Sequence, residues 1–197
     1  MIFDAELLKL VRTELGIAVP DDVRSLARAI AGRHGKAAIA VLFYGSCLRT
    51  TEVRGQMLDF YLIVDDYKRA YAKRWLAAAN RLLPPNVFPI EYRGLAAKYA
   101  VLSLADFRRL ASSETLNVSV WARFAQPSRL VWAASDAIAG DIAEAVAAAA
   151  PALLSAARPV TGERIAPLDL WAKAFGLTYT AELRAERTSP AGSIIGH

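Results

Sequence analysis

Cysteine is nearly missing from this chain: Cys47 is the only one, so no intrachain disulfide can form and a reducing compartment is the natural setting. Histidine is almost as scarce. His34 and His197 lie far apart with no companion ligands, which argues against a zinc site and against a histidine-based triad. No uninterrupted apolar run is long enough to cross a bilayer. The alanine-rich stretch 133–157 comes nearest, but Asp136, Asp141 and Glu144 interrupt it and Pro151 breaks it. The first sixteen residues carry charge throughout and lack an apolar signal core, so no secretory signal is expected. Charge of one sign does not dominate either. A formal net charge of +5 suits a protein that handles phosphates, and it does not by itself imply nucleic acid, which is not expected as a partner.

What is present is apolar and globular in balance, with 55% hydrophobic and 22% charged residues over 197 positions. Helical spacing predicts helices over 4–15 and 21–33, the second opening on Asp21 and Asp22 where negative charge suits the helix dipole. Strands are expected at 36–44, 57–64, 87–92 and 98–102. Between the second and third of these, residues 67–83 read as one basic helix ended by Pro84-Pro85. Beyond residue 103 the pattern turns helical. Ser103 and Asp106 form a capping-box-like start to a helix reaching 110, and further helices are expected at 114–124, through the alanine-rich stretch, and at 167–175. The expected fold class is therefore α+β. A small mixed sheet with helices on one face occupies a lobe at 1–103, and a helical lobe occupies 104–197.

The most informative segment runs from Val41 to Asp66. An apolar strand ends in Gly45-Ser46, and Asp59 opens the next apolar run. Only a residue without Cβ lets backbone N–H groups approach a triphosphate closely, and a serine hydroxyl adds a donor. By itself Gly-Ser after a strand is equally an ordinary turn. Asp59 tilts the reading, because strands are depleted in aspartate and a carboxylate there is costly unless paired or bound to a metal ion. Magnesium prefers such oxygen ligands and shares them with substrate phosphates. The alternative is an ion pair of Asp59 with Arg49, Arg54 or Lys98.

Nucleotidyltransferases usually carry a second carboxylate two residues on, and here that position is Tyr61. Asp65 shares the parity of Asp59 but lies about 20 Å further along an extended strand. Asp65 and Asp66 thus read either as caps of the next helix or as catalytic groups, and Glu91 reads as a surface or salt-bridged residue. The basic segment, with Lys68, Arg69, Lys73, Arg74 and Arg81 among Tyr71, Trp75, Leu76 and Leu82, reads either as a solvated face or as a surface for anionic lipid or phosphate. Lys98 begins an apolar strand and needs an anionic partner, for which Asp59 or a phosphate would serve.

Four blocks together resemble one family. FYGSCLRTTEVRGQMLDFYLIVDDY, AAKYAVLSLADF, VSVWARFAQPSRLV and FGLTYTAELRAE occur in that order across most of the chain. They are similar to the conserved blocks of the mitochondrial-type phosphatidate cytidylyltransferases, the translocator assembly and maintenance family, within the DNA polymerase beta-type nucleotidyltransferase superfamily. That family also lacks the second carboxylate. Departures are Cys47 in place of a glycine, Phe124 near a usual Gly-Arg pair, and Ala181-Glu182 in place of Gly-Asp. The resemblance implies transfer of a cytidylyl group from CTP to phosphatidate, with Mg2+ as cofactor and phosphatidate and an anionic membrane surface as partners. It implies Asp59 and Lys98 as catalytic residues, with Asp59 also the metal ligand. Tyr44, Gly45, Ser46, Tyr179 and Arg184 are the implied nucleotide-binding residues. A cytoplasmic, peripheral location at the inner face of the cell membrane follows from a lipid acceptor and the lack of a spanning segment. The alternatives are a soluble, protein or RNA acceptor on the same fold, or a catalytically degenerate nucleotide-binding module.

Overall fold

The apolar runs on either side of Gly45-Ser46 become neighbouring strands, and the rest of the fold is arranged around them. The structure is a computed structural model that describes residues 5–48, 53–115, 117–162 and 164–188, with side chains described as far as Thr178. Strands β1 (Ala38–Tyr44) and β2 (Met57–Val64) pair antiparallel, placing Tyr44 opposite Asp59. β3 (Asn86–Tyr92) and β4 (Leu95–Ser103) form a hairpin whose turn residues, Arg93 and Gly94, both have positive φ, as a tight hairpin turn demands. β4 lies parallel to β2, placing Lys98 opposite Asp59. β5 (Ser128–Ala133) adds antiparallel to β1, so the mixed sheet has five strands in the order β3-β4-β2-β1-β5.

Helices cover both faces of this sheet rather than one. This explains why β2 reads as a near-continuous apolar run, since both of its faces are buried. On one face α2 (Asp21–His34), α3 (Tyr67–Ala70) and α4 (Arg74–Leu82) pack onto Leu58, Phe60, Leu62 and Val64. On the other, Tyr61 and Ile63 meet a layer built from α1 (Ala5–Leu15), α5 (Leu104–Leu110), α6 (Val118–Phe124), α7 (Asp136–Ala147), α8 (Ala149–Ala157) and α9 (Pro167–Thr188). Asp59 belongs to this second side by strand alternation. Each large side chain fully buried here stabilises the fold by about 1.5–3 kcal/mol, and Phe60, Tyr61, Phe107 and Ile142 are among them.

The fold is α+β, a mixed sheet flanked by helices with a helical layer. Several expected elements differ in detail. The segment 67–83 is two helices, because Tyr71 leaves the helical region, is buried beside Tyr67 and Phe88, and donates from its hydroxyl to Asn80 Oδ1 at 2.7 Å. The expected helix at 114–124 starts only at Val118, where Asn117 Oδ1 accepts from the Ser119 amide. The last helix runs to Thr188 instead of stopping at 175. Ser103 does cap α5, its Oγ accepting from the Asp106 amide at 3.1 Å. β5 arises from the half expected to be wholly helical and crosses back over the boundary at residue 103 to join the sheet. The alanine-rich stretch forms α7 and α8. Among the described residues, Asp136–Val160 is the stretch long and apolar enough to cross a membrane, yet half of its most apolar window is buried inside the fold.

Candidate functional site

A cleft opens where β1 ends and where β2 and β4 begin. It measures about 270 Å³, and Tyr44, Gly45, Ser46, Asp59, Arg123 and Gln126 line it. Gly45 has φ +97°, a backbone region that side chains rarely adopt, and the chain then turns tightly so that the Leu48 amide donates to the Gly45 carbonyl at 3.2 Å. A Cβ on Gly45 would stand 3.1 Å from Asp59 Oδ2. The small-residue bend and the carboxylate are thus in contact across the strand pair. Ser46 sits exposed at the mouth. Behind the bend, buried Cys47 ties the loop down, its thiol donating to Gln56 Oε1 at 3.1 Å.

Asp59 carries an unusual local arrangement. Its Oδ1 is buried and accepts no hydrogen bond from the described residues. The Lys98 ammonium lies 3.4 Å from that oxygen, close enough for attraction but not a hydrogen bond. Lys98 is 53% exposed, so it is free to swing toward an anion in the cleft. Arg123 also lines the cleft, its guanidinium carbon 6.0 Å from the centre of the Tyr44 ring. The cleft thus holds one carboxylate with Lys98 beside it and Arg123 in its lining. Burial, and secondarily the neighbouring Tyr61, raises the Tyr44 hydroxyl well above its ordinary pKa, so it stays protonated and able to donate at neutral pH.

Of the residues singled out in the sequence, Tyr44, Gly45, Ser46 and Asp59 line one cleft, and Lys98 joins them through Asp59. The side chains of Tyr179 and Arg184 lie outside the described residues, as does Arg49. Arg54 approaches Asp22 at 3.7 Å, which leaves Lys98 as the partner identified for Asp59. Asp65 and Asp66 sit at the far end of β2. Asp65 pairs with Arg69, and Asp66 Oδ1 caps α3 by accepting from the Lys68 amide at 2.6 Å. Glu91 is exposed on β3. Arg123 is the charged residue in the cleft lining that sequence reasoning did not single out, and Gln126 is a polar one. For Arg123 the signal was an arginine on the otherwise apolar segment VSVWARF, within one of the four blocks.

A magnesium ion fits what the cleft offers. The Asp59 Oδ1 accepts no hydrogen bond from the described residues and is an oxygen donor for which a metal ion would compete with Lys98, and the space denied to a Cβ at Gly45 lies beside Oδ2. Among the described residues no cluster of three or more His, Cys, Asp or Glu side chains surrounds it, so the remaining ligands would be substrate phosphates and water. A wider depression of about 880 Å³ runs along α4, lined by Lys68, Arg74, Trp75, Arg81 and Leu82. It lies beyond the opposite end of β2, on the other face of the sheet, and its lining has no carboxylate.

No protein-family model matches this chain, and no curated protein matches it.

Proposed function

We propose that the protein is a nucleotidyltransferase that transfers a cytidylyl group from CTP to phosphatidate, giving CDP-diacylglycerol and pyrophosphate. The observation that carries the reading is the contact between the Gly45 bend and Asp59, with one Asp59 oxygen left without a hydrogen bond. The choice of CTP and phosphatidate is supported by the four-block resemblance.

Bound at Asp59, magnesium would supply neutralisation of charge on the triphosphate as pyrophosphate departs. The chain's own residues do the positioning. Gly45 lets the backbone close on the terminal phosphates, and the Ser46 hydroxyl donates to them. A phosphatidate oxygen attacks the α-phosphorus, and the bond from that phosphorus to the bridging oxygen breaks. The nucleophile is already an anion, so no general base is required. Lys98 and Arg123 draw two polyanions into one space and offset their repulsion. Such orientation and fixed electrostatics supply most of the acceleration in phosphoryl-type reactions. On this reading the enzyme works as a peripheral protein at an anionic membrane surface.

A soluble acceptor is the second reading. One observation favours it: the basic and apolar α4 surface, the natural face for anionic lipid, stands at the end of the sheet away from Asp59. Pyrophosphate release measured with each of the four ribonucleoside triphosphates, with and without phosphatidate vesicles, tests both. Release with CTP that requires phosphatidate supports the first reading. Phosphatidate-independent turnover with another acceptor supports the second, and CTP binding with no release under any condition overturns both.

A further inference from the structure

Helix α4 has one buried side and one open side, and Asn80 fixes which is which. Fully buried, it donates to the Val101 carbonyl at 3.0 Å and accepts from the Tyr71 hydroxyl at 2.7 Å and the Asn86 amide at 2.9 Å. Ala77 is buried on the same side, so Arg74, Trp75, Ala78, Arg81 and Leu82, at helical spacing, are left facing solvent. Trp75 is 65% exposed, Leu82 80%, and Leu83, which caps the helix, 77%. Large apolar side chains exposed singly are ordinary, but three on one short helix and its cap form a patch that asks for a partner.

The charge around this patch is of one sign. Lys68 from α3, with Arg74 and Arg81, lines the depression of about 880 Å³ that also holds Trp75 and Leu82. Other basic side chains have acidic partners: Arg69 pairs with Asp65, Arg108 with Asp141, Arg109 with Asp106 and Arg129 with Glu14. Lys68, Arg74 and Arg81 make no ion pair among the described residues. Unpaired cations bordering an exposed indole and leucines complement an anionic bilayer at each level of its depth. Headgroup phosphates meet the cations, the indole suits the interface, and leucines gain by entering the acyl boundary. A nucleic-acid strand would use the cations and the indole but offers the leucines nothing.

We infer that the α4 face docks onto an anionic phospholipid bilayer, with Lys68, Arg74 and Arg81 on headgroup phosphates and Trp75, Leu82 and Leu83 in the interface. The inference goes beyond the reading of the cleft and does not rest on it. The face lies on the other side of the sheet from Asp59 and beyond the opposite end of β2, so docking there leaves the cleft uncovered whichever acceptor it takes.

The test is co-flotation of the full chain with extruded vesicles, either of phosphatidylcholine alone or with about one third phosphatidylglycerol. Phosphatidylglycerol supplies the charge without being the proposed acceptor. The wild-type chain floats with the anionic vesicles and not with phosphatidylcholine, and raising salt from about 0.1 to about 0.5 M weakens the binding. The double variant Arg74→Gln, Arg81→Gln binds about 10- to 30-fold more weakly. Trp75→Ser with Leu82→Ser loses at least about tenfold. All four positions are exposed, so both variants keep the wild-type circular dichroism spectrum and the thermal shift produced by CTP with magnesium.

Failure of the wild-type chain to float with anionic vesicles, or equal flotation of either variant, overturns the docking face. Tighter binding of a single-stranded RNA oligonucleotide or of polyglutamate, dependent on the same two arginines, overturns the lipid assignment. Flotation by a chain that releases no pyrophosphate sustains the docking face and overturns the enzymatic reading alone. Pyrophosphate release by a chain that never floats does the opposite.

Discussion

Gly45 and Asp59 touch across β1 and β2, such that a single added carbon on Gly45 would come within 3.1 Å of the carboxylate. That carbon would also be carried by a residue with φ +97°, so two penalties fall on one substitution. Gly45→Ala is expected to cost about 1–3 kcal/mol in stability from the backbone alone. A separate loss is expected in ligand binding. Affinity for CTP with magnesium, read from the thermal shift, falls at least about tenfold because the methyl group occupies the space where phosphate meets carboxylate. Unchanged affinity would show that the bend is only a turn.

Asp59→Asn keeps the shape of the side chain and removes its charge. Stability changes little, because the ion pair it loses involves a half-exposed lysine and such pairs contribute about 0–1 kcal/mol. Pyrophosphate release drops by at least about 100-fold if the carboxylate holds the ion that stabilises the transition state. Turnover within about threefold of wild type, at saturating magnesium, removes Asp59 from the chemistry.

Lys98 sits where a metal ion would compete with it for Asp59 Oδ1. Lys98→Met is therefore expected to have opposite effects on two readouts. Magnesium activates the variant at a lower concentration, since no ammonium has to be displaced. Its maximal rate falls about tenfold or more if Lys98 is one of the cations that position the phosphates. A rate loss accompanied by weaker magnesium activation would instead mean that Lys98 merely holds Asp59 in place.

The strands and the bend that build the cleft were legible in the sequence because local signals and tertiary structure agree there. The apolar run ends at Gly45, the aspartate stands out in LDFYLIV, and the parity of Asp59 with Tyr61 sets its face. What was not legible depends on distant partners. SRLVWA becomes a strand because β1 has a free edge, and no local feature of those six residues announces it. The break at Tyr71 comes from a buried hydroxyl finding Asn80, which outweighs the helical propensity of a lysine- and alanine-rich run. Arg123 reaches the cleft only because α6 packs Phe124 against Tyr44 and Tyr61. Its role is a consequence of how a helix docks, which spacing along the chain does not reveal.

His34 links α2 to two other elements, with Nδ1 3.0 Å from the Ala70 carbonyl oxygen and Nε2 3.2 Å from the Tyr99 hydroxyl. The carbonyl requires a proton on Nδ1, so a neutral ring accepts from Tyr99 through Nε2. Burial holds the pKa of His34 below its ordinary value; the carbonyl bond opposes this and Arg33 adds to it. The unfolded chain therefore takes up the proton first as pH falls below roughly 6.5. The stabilising contribution is complete above that value and is lost as pH falls through the lower, folded-state pKa. Urea midpoints measured between about pH 7.5 and 5 should fall more steeply for wild type than for His34→Gln, which does not titrate. Parallel slopes would assign the acid sensitivity to other groups.

On the proposed reading, Tyr61 stands where many nucleotidyltransferases carry a second metal-binding carboxylate, and its packing leaves no room for one. The residue is 1% exposed, and its ring lies 5.2 Å from those of both Tyr44 and Phe124. This aromatic cluster sets the back wall of the cleft and anchors α6, and with it Arg123. Tyr61→Asp would place a carboxylate on the same side of β2 as Asp59, about 7 Å away along the strand. It would also remove a large side chain from the core, at a cost of about 3–5 kcal/mol before any charge is buried. The expected result is a large fall in the urea midpoint and a loss of pyrophosphate release rather than a gain. Tyr61→Phe keeps the ring and is expected to retain most of the stability. A stable Tyr61→Asp protein with faster turnover would mean that the cleft has room for a two-carboxylate site, and that the aromatic wall is not what positions Arg123.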